Sequence, residues 1–479
     1  MSKYLFSVRR DGNIQLDSFE GNDTHLVIPD HYDGKPVTAI ADNAFSWLTT
    51  IKSVVIPDTV TSIGEAAFSW CESLESISIP QSVRNIGEWC FIGCSSLKSI
   101  SIPSAVRKIN YSTFQSCTAL SAVSLPDSLH MIGPEAFAEC RSLRYITLPN
   151  HLTELGENAF ASCDALVSIS IPERLQKIGN GAFSGCTALS VIEVPADHPV
   201  YTSDDNVLIN RKERRLIFYP FAKRNREYCV PDSVSIIEEE AFANRIHLES
   251  VVLPDSVNII EQKAFYGCKN LKSITLPDSI TRISANAFHG CSSLNEVTLP
   301  SKLDSIDYSI FYACASLSSV QIPESVRFIS SCAFSGCSSL QSLVIPEGIV
   351  DIGESAFEGC RSLETVTLPS SLKSLGQHAF GSCALLEEVT IHSGLKSLPP
   401  MVFARCESLN SVILPDTLED IGSEAFENCQ NLLSLQIPKS VCNIEPDAFL
   451  ECRHLMLFVY PDSYAKEYAE ERDILFSEV

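Results

Sequence analysis

The sequence predicts an α/β solenoid: a curved, right-handed stack of short coils, with a parallel β-sheet on the concave face and short helical turns on the convex face. Two observations carry this prediction. Phenylalanine returns every 23 residues, at positions 45, 68, 91, 114, 137, 160 and 183 and again from 242 to 449. A phrase such as Leu74-Glu-Ser-Ile77-Ser-Ile79-Pro80 recurs at the same interval. A fixed period in the twenties, with apolar residues at fixed offsets, marks coils too small to bury a core alone, so each must stack on its neighbours. The length of 479 residues therefore counts coils rather than globular domains.

Taken in order, residues 1–42 depart from the repeat and read as an N-terminal cap. Tyr4–Val8 and Asn13–Phe19, either side of the turn signal Asp11-Gly12, suggest a hairpin. Residues 43–194 form a first repeat block in which each coil has three pieces. Alternation in Ser76-Ile77-Ser78-Ile79 argues a strand with one buried face, closed by Pro80, which has no N–H for the ladder. A segment such as Val83-x-x-Ile86-Gly87 then crosses the end of the coil. The third piece, such as Glu354-Ser-Ala356-Phe357-Glu-Gly-Cys360, reads as a helical turn or two started by Gly353, and elsewhere by Asn110, Asp307 or Ser330. With strands about 4.8 Å apart, the array implies a sheet roughly 80 Å along its path.

At residues 195–230 the spacing breaks. Tyr201–Asn210 and Arg215–Tyr219 flank the charged Arg211-Lys-Glu-Arg214, which reads as a projecting hairpin. A second block runs over 231–455. Its first coil carries Arg245 where cysteine is expected, as the very first coil carries Leu48, which suggests an exposed leading edge to each block. The tail, 456–479, has helical spacing and then a short apolar run, suited to a C-terminal cap.

The formal charge of −24 disfavours nucleic acid and anionic membrane as partners. No stretch approaches the 18 consecutive apolar residues of a membrane span. The amino terminus lacks the apolar core of a secretory leader, so the chain as written reads as cytoplasmic; a removed leader would make it secreted or surface-bound.

The phrase Leu-x-x-Ile-x-Leu-Pro-x-x-Leu-x-x-Ile-x-x-x-Ala-Phe-x-x-Cys, over about residues 26–461, resembles the BspA-like, or treponemal, class of leucine-rich repeats. The phrase Ile28-Pro29…Gly34-Lys-Pro36-Val37-Thr-Ala-Ile40 is similar too. The resemblance implies a leucine-rich-repeat fold and a binding role, with many members surface or secreted proteins that adhere to host or matrix proteins.

Of the 19 cysteines, fifteen stand three residues after a phenylalanine, from Cys71 to Cys452. No close Cys-x-x-Cys pairs suggest zinc, and the column reads as inert packing, which favours a reducing compartment. Ten scattered histidines, among them His130, His151, His289 and His378, occupy no column, and no nucleophile elbow, phosphate loop or metal motif occurs. The chain is expected to be non-catalytic, with no cofactor and no metal. Serine and threonine crowd the outward strand positions, a flat strip suited either to solvent or to docking. Larger residues interrupt it: Tyr145 with Thr147, Val191 with Glu193, Glu296 with Thr298, Ser319 with Gln321, and Glu388 with Thr390. These are the candidate contact residues, because binding energy centres on a few anchors. The hairpin adds Arg211, Lys212, Arg214, Arg215, Lys223, Arg224 and Arg226 as a second candidate surface. The expected partner is a protein met by a monomer; a structural spacer or self-assembling scaffold is the alternative.

Overall fold

Alternation of small polar and aliphatic residues gives each coil a short strand with a buried centre and exposed flanks, as at Ser99–Ser101 and Ser273–Thr275. The structure, a computed structural model, describes residues 3–392 and 394–479. It divides into two compact units, Met1–Glu213 with Ile217–Lys223, and Arg214–Leu216 with Arg224–Val479. In both, these strands pair in parallel at the 23-residue offset. Ser53 pairs with Ser76 in the first unit, and Glu296 with Ser319 and then Ser342 line up in the second.

A second wall is also a parallel ladder, where the sequence suggested only a crossing segment. Its strands are two residues long: Ser62–Ile63 pairs with Asn85–Ile86, and Ser305–Ile306 with Phe328–Ile329.

The third wall corrects the expectation of helical turns. Positive φ occurs two residues before and two after every repeat phenylalanine from Phe45 to Phe426: Ser355 (54°) and Gly359 (70°) flank Phe357, and Glu135 (54°) and Glu139 (60°) flank Phe137. A left-handed residue on each side interrupts any right-handed helix. The backbone bonds the next coil instead: the Phe357 N–H donates to Ala379 O at 2.8 Å and the Phe137 N–H to Ala159 O at 2.9 Å. Gly353 starts no helix; a Cβ there would lie 2.5 Å from the backbone N of Ser331, so the two coils approach closely at that point. Among the described residues the one α-helix is Tyr464–Glu471, capped by the Ser463 side chain. The repeat is β-strand and turn, a β-solenoid with little helix rather than an α/β stack.

Inside each unit the phenylalanines form a column. In the first unit the rings from Phe45 to Phe183 are 4.8 to 6.1 Å apart between centroids. In the second, those from Phe242 to Phe449 are 4.8 to 5.9 Å apart. Each column ends on an aromatic ring of different origin. Phe19, from the antiparallel Lys3–Val8 and Ile14–Glu20 hairpin, lies 6.2 Å from Phe45. Tyr468, from the C-terminal helix, lies 6.2 Å from Phe449. Parallel rings at these spacings add attraction to the area they bury.

Fourteen of the fifteen cysteines of the column are buried and Cys452 is partly covered, and the column also bonds. All fifteen thiols donate to the carbonyl of the phenylalanine 26 residues upstream, at 2.9 to 3.4 Å. Burial pushes Cys71, Cys268 and Cys314 up to about 12, so these thiols stay protonated. The first coil of each block departs from the column, with Leu48 in one and Arg245 in the other. Arg245 does not mark an exposed edge as expected: it is 3% exposed, and its guanidinium donates to the carbonyls of Ala243 and Ala241 in its own turn.

The insertion does not project. Tyr201–Asp204 and Val207–Asn210 form an antiparallel hairpin around Asp205 and Asn206, and a second turn at 211–214 leads into Arg215–Phe218. Tyr201, Val207, Leu208, Ile209 and Phe218 are buried in the first unit and Leu216 in the second, so the segment is packed in rather than projecting.

Candidate protein-binding surface

Because side chains alternate across a strand, each three-residue strand of the first ladder, such as Ser99–Ser101 and Glu296–Thr298, sends its first and third residues outward. Two shallow grooves form where larger residues interrupt the small-polar strip. In the first unit, Tyr145, Thr147 and Glu193 come together with Ser168, Ser170 and Asn150 around a hollow of about 330 Å³. Residues 144–148 make no regular strand, which interrupts the ladder between Ser124 and Ser168. Tyr145 is 56% exposed, and the Arg144 guanidinium sits 5.5 Å from its ring centre. Val191 is half-buried and lies outside this hollow.

In the second unit, Glu296, Thr298, Ser319 and Gln321 line a groove of about 710 Å³. Sequence reasoning missed four of its exposed residues: Ser301, Glu324, Ser342 and Val344. Val344 is 76% exposed. The signal was present, because in Ser342-Leu-Val344-Ile the inward positions belong to Leu343 and Ile345, leaving a valine in the outward row. The same row carries exposed Val252 and Ile413, and in the first unit Val27 beside Val55. Glu388 and Thr390 lie on the Glu388–Ile391 strand, outside the groove.

The cations of the insertion are mostly engaged with their own chain. In the first unit, Lys223 is paired with the Asp205 carboxylate and donates to Asp205 O at 2.7 Å, while Arg211 reaches Ala196 O at 3.4 Å. In the second, Arg214 donates to Ser233 O at 3.0 Å and Asp232 O at 3.2 Å. There Arg215 meets Glu238 at 2.5 Å and Arg226 meets Glu249 at 3.4 Å. Lys212 and Arg224 are exposed. Among the described residues no helix is long and apolar enough to cross a membrane.

The chain is 27% identical to a leucine-rich cell surface protein of Faecalibacterium prausnitzii, covering 86% of this chain and 94% of that one at a TM-score of 0.50. It is 25% identical to a leucine-rich repeat protein of Bacteroides ovatus, covering 100% and 98% at a TM-score of 0.46. The pneumococcal vaccine antigen PcpA is 18% identical, with 100% and 97% covered at a TM-score of 0.40. No curated protein sequence matches. The sequence model of the BspA-type leucine-rich repeat region, six copies long, matches residues 38–166, 109–210, 215–341 and 328–456. Repeats of this type are typically protein-interaction or adhesion modules and are generally non-catalytic. With the match spanning nearly every coil, the chain belongs to the BspA-type leucine-rich repeat family.

Proposed function

We propose that this chain is a non-catalytic recognition module that takes a protein partner on the outward faces of its strand ladders. The observation that carries the reading is the pair of grooves. They interrupt an otherwise flat strip, and each gathers predicted anchors, Tyr145 and Glu193 in one and Glu296 and Gln321 in the other. The Faecalibacterium protein is described as a cell surface protein and repeats of this type are typically interaction or adhesion modules, and on that footing a host or matrix protein is the partner of this proposal. The basic insertion contributes less to this reading, since most of its cations already hold carbonyls and carboxylates of their own unit.

The test is partner capture by the immobilised full chain, compared with Tyr145→Ala/Glu193→Lys and with Gln321→Arg/Val344→Asp. All four side chains are exposed, so the fold is expected to survive, as circular dichroism would verify. Loss of capture in one or both variants is the expected result. Undiminished capture by the combined variant would overturn the reading. Concentration-dependent light scattering without any partner would favour the scaffold instead.

A further inference from the structure

The groove of the second unit differs in charge from two other hollows of that unit, one of which is lined by Lys373 and Lys396. Its thirteen lining residues include two carboxylates, Glu296 and Glu324, and no lysine or arginine. Among the described residues neither carboxylate makes an ion pair, and both are exposed. The hollow lined by Arg405, Glu427, Glu451 and Arg453 is neutralised from within, with Arg405 3.5 Å from Glu427 and Arg453 2.7 Å from Glu451. Unpaired carboxylates on a chain of net charge −24 make a field that draws cations and repels acidic ligands. Beside them stands Val344, 76% exposed and so available to an apolar side chain.

Register sets the spacing between these features. Glu296, Ser319 and Ser342 lie in one row across three strands, and Thr298, Gln321 and Val344 in the next. From Glu296 to Val344 is two strand spacings across and two residues along, a diagonal of about 12 Å. An extended segment advancing about 3.3 Å per residue covers that in four residues, and its residues i and i+4 point to the same side.

Resting on the reading that this face binds protein, we propose that the groove takes an extended, basic segment of the partner. An arginine or lysine faces Glu296, with Glu324 adding to the acidic field, and an aliphatic side chain four residues away covers Val344. The intervening Thr298, Ser319 and Gln321 side chains offer hydrogen-bonding groups to its backbone.

The test uses the intact chain and fluorescein-labelled ten-residue peptides in a Ser/Gly/Thr background, read by fluorescence polarisation. One peptide carries Arg and Leu four apart, a second has Glu for Arg, and a third has Arg and Leu adjacent. The first is expected to bind about tenfold more tightly than the Glu peptide and more tightly than the adjacent one, and to weaken between 50 and 300 mM salt. Glu296→Gln/Glu324→Gln is expected to weaken it about three- to tenfold, with its circular dichroism unchanged. Equal binding of the Arg and Glu peptides, no binding of the first peptide, or no effect of the double variant would each overturn the proposal. Partner capture separates the two readings. Capture that is lost with Gln321→Arg/Val344→Asp but unaffected by Glu296→Gln/Glu324→Gln rejects the basic segment and keeps the binding face. Capture indifferent to both rejects both.

Discussion

His198 is 1% exposed and held by three hydrogen bonds. Its Nε2–H donates to Pro172 O at 3.1 Å, and Nδ1 accepts from the N–H groups of Val200 at 3.2 Å and Tyr201 at 3.0 Å. A proton on Nδ1 would set a donor against two donors. Burial lowers the histidine's pKa below its ordinary 6.5, with the Arg211 charge adding to the effect and the Pro172 carbonyl and Glu173 opposing it. The folded state then binds this proton less readily than the unfolded chain. Stability is complete above pH 6.5 and falls as the pH drops from 6.5 through the folded value. The urea midpoint of the first unit is expected to fall between pH 7.5 and pH 5. In His198→Asn, whose amide oxygen can accept the same N–H groups without titrating, this part of the fall should vanish; an identical pH response would refute the assignment. The thiols offer a second residue-scale check. Cys229 and Cys442 are exposed, Cys332 and Cys452 are partly covered, and the others are buried. A thiol reagent should therefore titrate two groups fast in the native protein and all 19 in denaturant, whereas a large fast fraction would contradict the buried ladder.

At the scale of the coil, one phenylalanine carries packing to both neighbours. Phe357 lies 5.3 Å from Phe334 and 5.2 Å from Phe380, while its carbonyl accepts the Cys383 thiol at 3.3 Å. Phe357→Ala should cost about 3–5 kcal/mol, because the vacated space is walled by rigid coils that cannot close on it. Cys383→Ala removes a thiol and its hydrogen bond and should cost clearly less, of order 1–2 kcal/mol. Chemical denaturation of the two variants would reveal the ranking, and equal costs would mean that the thiol bonds matter more than the ring stack. Ion pairs between successive coils, such as Lys272 with Glu249 at 2.9 Å and Lys396 with Glu419 at 2.8 Å, are solvent-exposed rungs of little individual weight.

At the scale of the whole molecule, each coil touches chiefly the one before and the one after, so damage should spread by nearest-neighbour coupling. Phe137→Ala is expected to raise hydrogen exchange most in the coils carrying Phe114 and Phe160, less in those beyond, and not at all from Phe265 to Phe426. Uniform loss of protection along the chain would show a single cooperative block instead.

Much of this architecture could be read in advance because a stacked array must place the same side chain at the same depth in every coil. The Phe357 column, the Cys360 column and the outward Ser and Thr row all announce themselves by recurrence. The terminal hairpin and helix were legible for a local reason, the Asp11-Gly12 turn signal and the 3.6-residue spacing after Ser463. Three-dimensional packing decided the rest. Segments with the composition of helical turns became ladder and turn, since hydrogen bonds to the next coil, such as Phe357 N–H to Ala379 O, prevailed over bonds within the segment. The basic insertion folded inward because its aliphatic residues bury with the core while its cations meet nearby carbonyls. Which outward side chains share a groove depended on the register that sets Thr298 beside Gln321 and Val344, and on the missing strand at 144–148. Recurrence along one chain specifies depth and orientation for each residue, but competition between a segment's own hydrogen bonds and those of its neighbour is settled only when the coils meet.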